Sequence, residues 1–226
     1  MKFGLPLLVA FCLFLSACSK PAPEPIRVGL NPWPGYEFLT YAQEMGYFEQ
    51  LGLAVEIVEL TSLGDCRRAF ERGQIDVMAS TVVEAILVHE QPEIQAAVFY
   101  LCDYSDGSDK IIARSGIDSV AELKGKKIGY EPGALDIILI NAALHAGSLK
   151  LDEVELVAIP QLGLPEAFRE GRIDAAPSYP PVSISILQQE DTHVIYDSSQ
   201  SPGLIADVFT ARRAFIEQRA EELGRF

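Results

Sequence analysis

The sequence predicts an α/β fold of two lobes, each a small, mainly parallel sheet flanked by helices. Two observations carry that expectation. Of the 226 residues, 49% are hydrophobic and 22% charged, a mixture that supports a buried core and excludes a disordered or fibrous chain. The chain is also internally duplicated. Val28-Gly29-Leu30-Asn31-Pro32 recurs as Ile128-Gly129-Tyr130-Glu131-Pro132, and Val55–Leu60 recurs as Val154–Ile159. Leu63-Gly64 returns as Leu162-Gly163, and Ala69–Asp76 as Ala167–Asp174. The four blocks keep their order at offsets of 98 to 100 residues, the signature of a repeated unit.

In the first half, Ile26–Leu30 is a β-branched strand running into a Pro/Gly turn. A helix over Tyr36–Met45 ends at Gly46, where a glycine commonly closes a helix. A second strand, Ala54–Leu60, precedes Ser62, and Asp65 three residues later gives the spacing of a helix start. That helix ends at Gly73, a third strand covers Ile75–Ala79, and Thr81 opens another helix. The second half repeats the series as strand Lys127–Tyr130, helix Leu135–Ala146 closed by Gly147, strand Val154–Ile159, a helix ending at Gly171, and strand Ile173–Ala176. This alternation predicts parallel strands joined by right-handed crossovers. Residues 26–104 then form lobe 1 and residues 105–203 lobe 2. Residues 204–226 supply a returning strand and the start of a helix over Ala214–Phe226. Cys102–Lys110 and Asp197–Asp207, rich in Ser, Asp, Gly or Pro, read as hinges between the lobes.

The N-terminus reads as an export address. After Lys2, the apolar run Phe3–Leu15 falls short of the roughly 20 residues of a membrane-spanning helix. It leads into Leu15-Ser16-Ala17-Cys18, which looks like a bacterial lipobox. Residues 1–18 are therefore expected to be a lipoprotein signal peptide, with Cys18 lipidated. The alternative is an ordinary secretion signal with an incidental cysteine. Residues 19–25 contain three prolines and form an extended tether. Cys12 leaves with the signal. Cys66 and Cys102 either form a disulfide, which an exported compartment permits, or remain free thiols.

The formal net charge of −14 excludes nucleic acid as a partner, because phosphate binding needs a basic surface. Three scattered histidines make no metal-ligand pattern, and no nucleotide-binding loop or nucleophile elbow occurs, so no metal or cofactor is expected. In open parallel sheets, ligands bind beyond the carboxyl ends of the strands. There lie Trp33 and Tyr36, in a Pro/Gly loop after the first strand, which either contact a ligand or tuck onto the core. Ser62, Thr81, Glu131 and Gly133 sit at helix starts and either cap them or hold a ligand. Tyr179, ending the last strand of the second half, is expected to face Trp33 across the cleft, or else to be a surface turn aromatic. The carboxylates Glu84, Glu131, Asp136 and Asp207 read as caps, rim charges or hydrogen-bond acceptors rather than as a catalytic pair.

The lipobox, the run V-G-L-N-P-W-P-G-Y-E from Val28 and the run G-Y-F-E-Q-L-G-L from Gly46 together resemble type II periplasmic substrate-binding proteins of ABC transporters. The group in question imports nitrate, sulfonates, taurine and thiamine-pyrimidine precursors. Glu122–Gly129 with Glu131-Pro132-Gly133, Gly171–Ala176 and Asp207–Phe215 extend the likeness over residues 26 to about 220. The resemblance implies a periplasmic-binding-protein type II fold and a lipid-anchored solute-binding protein on the periplasmic face of the envelope. It would capture a small molecule between its lobes and deliver it to a membrane permease. Members continue beyond the returning strand with helices that complete lobe 1. The chain ends within the first of these, so a shortened variant with uncovered apolar surface is expected. Anion-binding relatives would place a basic side chain in the cleft. Here the strand ends carry Asp65, Glu84, Glu131 and Asp136, with only Arg67 and Arg68 near. A neutral or cationic organic ligand is thus preferred over sulfonate or nitrate. The alternatives are an enzyme of the same fold and a remnant that binds nothing.

Overall fold

The computed structural model describes residues 24–132 and 135–226. Residues 1–18, read above as a signal peptide ending in Cys18, most of the expected tether and Gly133 lie outside the described residues. Lobe 1 opens with β1 (Ile26–Leu30), a 3₁₀ turn at Pro34–Tyr36, α1 (Glu37–Glu44), α2 (Tyr47–Gln50) and β2 (Val55–Glu59). It continues with α3 (Leu63–Glu71), β3 (Val77–Thr81), α4 (Val82–His89) and β4 (Ala96–Tyr104). Lobe 2 contains β5 (Lys110–Arg114), β6 (Lys127–Tyr130), α5 (Asp136–Ala146), β7 (Glu155–Ala158), α6 (Leu164–Arg169), β8 (Ala175–Ser178), α7 (Val182–Leu187) and β9 (Thr192–Asp197). The chain then returns to the first sheet as β10 (Ala206–Arg212), followed by α8 (Arg213–Gln218) and α9 (Ala220–Leu223).

The sheets run β2-β1-β3-β10-β4 and β7-β6-β8-β5-β9. In each, a parallel trio from the duplicated half is extended by two strands through successive antiparallel pairings. Those added strands are where the sheets depart from the mainly parallel pattern. The duplication extends to single hydrogen bonds. Asp76 accepts the backbone N–H of Arg27 at 3.0 Å, and Asp174 accepts that of Lys127 at 2.8 Å. Gly73 and Gly171 close equivalent helices with φ of +70° and +69°, a region glycine enters without steric cost. A Cβ on Gly29 would stand 2.4 Å from Ile75 Cδ1, and one on Gly129 would stand 2.8 Å from Ile173 Cδ1. The same close strand–loop approach is therefore built twice.

Gly147 closes its helix as expected, though with φ −82° rather than in the left-handed region; Ser148 takes the positive φ. Glycine is needed at 147 because a Cβ there would lie 2.7 Å from Val120 Cγ1. The helix expected over Ala214–Phe226 is two short helices broken at Arg219 (φ −115°, ψ 23°). The Arg219 guanidinium binds Glu222 and the Glu24 carbonyl, holding the break against the start of the chain. Cys66 and Cys102 are both free. Cys66 packs under α3 against Phe70, Ile75 and Met78, whereas Cys102 sits on β4 against a different apolar cluster. Burial pushes both thiols up, Cys102 to about 12.

The largest apolar cluster draws on both lobes, from Ile26, Val28 and Phe209 to Ile111, Ile128 and Leu139. The edge strand β4 leaves Val98, Tyr100, Leu101 and Tyr104 exposed. Among the described residues, no helix is long and apolar enough to cross a membrane.

Candidate functional site

The strand ends of the two sheets meet over a narrow, partly open cavity. The space left free there is about that of a single water molecule, so the lobes must part to admit a larger solute. Trp33 reaches it from the loop after β1, Thr81 from the end of β3, Tyr179 from the turn after β8, and Asp207 from the start of β10. Asp109 enters from the connection between β4 and β5. The Trp33 and Tyr179 rings meet edge to face across the lobes, with centroids 6.1 Å apart and planes at 83°. Beneath them the Tyr36 hydroxyl donates to Asp207 Oδ1.

Four of the seven predicted ligand residues therefore line one cavity: Trp33, Tyr36, Thr81 and Tyr179. The Thr81 hydroxyl is already committed, donating to Glu84 Oε2 at 2.5 Å and accepting the Val83 N–H at 3.1 Å, so it acts as a cap. Ser62 and Glu131 stand together in a neighbouring groove with Asp65, Arg68 and Gln161. Ser62 caps α3 by accepting the Asp65 N–H at 3.2 Å and donates to Glu131 Oε1 at 2.6 Å. This bond ties lobe 1 to lobe 2. Gly64 is part of the same contact, since a Cβ there would stand 2.6 Å from Glu131 Oε1.

The connections between the lobes are themselves bonded. Ser105 Oγ and Ser198 Oγ lie 2.8 Å apart, the Gly107 N–H donates to Ser198 Oγ at 2.8 Å, and the Ser105 N–H donates to the Ile205 carbonyl at 3.0 Å. Sequence reasoning did not single out Asp109 or Ile205, which these contacts carry to the cavity wall. Within one Ser-Asp-Gly-Ser-Asp turn, nothing in the sequence distinguishes the inward aspartate Asp109 from Asp106.

The electrostatics are acidic. Burial pushes Asp109 up to about 6, Glu84 to about 7 and Asp207 to about 8. For Asp207, the Tyr36 hydrogen bond opposes the rise and neighbouring Asp103 adds to it. Asp136, also raised by burial, accepts the Glu131 N–H at 2.7 Å and is bonded by Gln161 Nε2 at 3.2 Å. Among the described residues, no Lys or Arg lines the cavity. Asn31 Oδ1, Trp33 Nε1 and Tyr179 Oη are buried on its wall with no partner among the described residues. These features suit a small ligand that offers N–H donors, or a positive charge, together with acceptor atoms.

Residues 33–226 match the protein family described as NMT1/THI5 like. A binding protein of Brucella abortus (strain 2308) is 29% identical over 170 residues, 72% of this chain and 50% of that protein. The chain thus spans about half the length of the curated Brucella relatives it matches. The formylaminopyrimidine-binding protein of Halalkalibacterium halodurans is 25% identical over 227 residues, covering 97% of this chain and 68% of that one. The crystal structure of the periplasmic aliphatic sulphonate binding protein SsuA from Escherichia coli superposes with a TM-score of 0.75 at 20% identity, over 89% of this chain and 69% of that one. That likeness shows the fold, the one shared by type II periplasmic binding proteins. Enzymes also occur among the similar proteins.

Proposed function

We infer that this chain, which belongs to the NMT1/THI5-like family, is an extracytoplasmic solute-binding protein of an ABC importer. It captures a small organic molecule between its lobes and presents the closed form to a membrane permease. The observation that carries this reading is the narrow cavity lined from both lobes at their strand ends. Its wall combines facing aromatics with polar atoms that have no partner among the described residues. Closure is favoured only as far as the ligand binds the closed state more tightly than the open one.

The ligand is a neutral or cationic, nitrogen-bearing organic molecule in preference to a sulfonate or nitrate. Asp109 and Asp207 line the cavity; a cation favours their ionised forms, whereas an anion finds only acidic groups and no counter-charge there. The formylaminopyrimidine-binding relative is consistent with such a ligand. The signal-like N-terminus with Cys18 supports periplasmic residence on a lipid anchor, since two or more acyl chains hold a protein stably at a membrane. Calorimetric titration of the mature chain, purified in detergent, against aminopyrimidines, amines, alkanesulfonates and nitrate tests the reading. Saturable binding of a nitrogen compound is expected. Tight sulfonate binding with no response to nitrogen compounds overturns the ligand class.

An enzymatic reading draws support from enzymes among the similar proteins and from buried carboxylates near neutral pKa. Turnover of a bound pyrimidine by the purified chain would establish it.

A further inference from the structure

We propose that Asp109, in the connection between the lobes, is the specificity-determining anchor of the cleft, taking with Asp207 a cationic N–H-bearing group of the ligand. This rests on the binding role proposed above and goes further by assigning ligand choice to the hinge.

Asp109 is 2% exposed and lines the cavity. Its position is fixed by both connections. Its N–H donates to Ser105 Oγ at 3.3 Å, and its carbonyl accepts the Ser198 N–H at 2.9 Å. The backbone that carries the carboxylate therefore cannot shift without breaking the contacts that hold the two connections together. Among the described residues no ion pair neutralises it, and Lys110 eases its charge only through space. The ammonium of neighbouring Lys110 is turned onto the carbonyls of Gly107 and Ser108 instead.

The groups that bear on Asp109 from the other elements are also acidic. Asp207 comes from β10, with one oxygen engaged by the Tyr36 hydroxyl, and Asp103 pairs with Asp207 across the β4–β10 ladder. A buried charge persists when it is paired. The partner missing here is one that arrives with the ligand. An independent observation points to the same occupant. Asn31 Oδ1, Trp33 Nε1 and Tyr179 Oη, each on a residue at least nine-tenths buried, line the same cavity with no partner among the described residues. They can hydrogen-bond the heteroatoms of a planar body while the carboxylates hold its cationic end. A ligand lacking that charge could fill the space without engaging the hinge.

The test uses the full mature chain and two matched probe pairs, benzamidine with benzamide and 4-aminopyridine with 4-hydroxypyridine, plus benzenesulfonate. Binding is measured by titration, and folding by thermal melting without ligand. The wild type is expected to bind a cation about tenfold or more tightly than its uncharged isostere, the scale of one charge-assisted hydrogen bond. In Asp109→Asn that preference should fall to near unity, with an unliganded melting temperature no lower than wild type. Asp207→Asn, tested separately, should reduce the same preference. Retained cation preference in a folded Asp109→Asn chain overturns the anchor and leaves the binding role standing. A preference for benzenesulfonate in the wild type also overturns the anchor. If none of the five probes binds the wild type, the anchor is rejected and the binding role stands or falls by the solute titration above.

Discussion

Raising the pH from 5 to 8 should destabilise the ligand-free protein, and the cleft carboxylates set the size of the effect. Burial holds Asp109 near 6, against an ordinary aspartate value of 3.8. A carboxylate whose folded pKa is raised binds its proton more tightly when folded. Stability is then highest at low pH and is lost as pH rises from the unfolded value through the folded one. Two units correspond to about 3 kcal/mol in all, of which roughly half, about 1.4 kcal/mol, remains to be lost above pH 5. Glu84 near 7 and Asp207 near 8 act with the same sign and lose most of their share inside this window. Because these charges also act on one another, their losses do not add. Asp65, Glu153 and Glu222 are lowered by their hydrogen-bonding partners, so their stabilisation is already in place by pH 5 and offsets nothing. Urea melts at fixed pH, followed by the fluorescence of the single, buried Trp33, give the free energy directly. Asp109→Asn should flatten the profile by about 1 kcal/mol, some 2–4 °C in melting temperature for a chain of this length. A stability that stays level or rises between pH 5 and 8 refutes the reasoning.

Other substitutions test other parts of the structure. Ser62→Ala removes a helix cap and the bond to Glu131, and should cost about 1–2 kcal/mol in urea melts; an unchanged midpoint contradicts the lobe-to-lobe contact. Gly29→Ala should cost about 1–3 kcal/mol through its clash with Ile75, and adding Ile75→Val should recover part of it; full additivity of the two losses contradicts the packing. Asp76→Asn should cost more than Asp174→Asn. Asp76 binds the Arg27 guanidinium as well as its N–H, whereas Asp174 accepts only the Lys127 N–H, and equal costs would deny the difference. Iodoacetamide should leave Cys66 unmodified in the folded chain, as a buried thiol with a raised pKa must be; its alkylation, read by peptide mass, contradicts the burial.

The parts of the fold that were legible in the sequence are those whose cause is local and stated twice. Gly73 and Gly171 mark left-handed helix ends, and the Ile-Asp pairs that follow place Asp76 and Asp174 on equivalent backbone N–H groups. The meeting of Trp33 and Tyr179 was likewise readable, because the strand carboxyl ends of the two halves face one another. The antiparallel strands β4, β5 and β9 were not. Ala96–Tyr104 shows no clean alternation, and its partner β10 is more than a hundred residues away, so pairing rather than local pattern makes it a strand. Gly147 ends its helix as read, but the reason was not legible: close approach to Val120, not a left-handed turn, requires glycine there. In the site, the residue types were informative and their commitments were not. Thr81 spends its hydroxyl on Glu84, Ser62 spends its own on Glu131, and only tertiary structure reveals that Asp109 points inward.

The most direct test of solute capture is a native mass spectrum of the protein released from the cell envelope, followed by fragmentation of whatever it carries. A folded, low-charge envelope with one added small mass that fragments as a nitrogen-bearing organic molecule is the expected result. A folded protein carrying a sulfonate contradicts the ligand class, and one carrying nothing at any ligand-preserving energy contradicts capture itself.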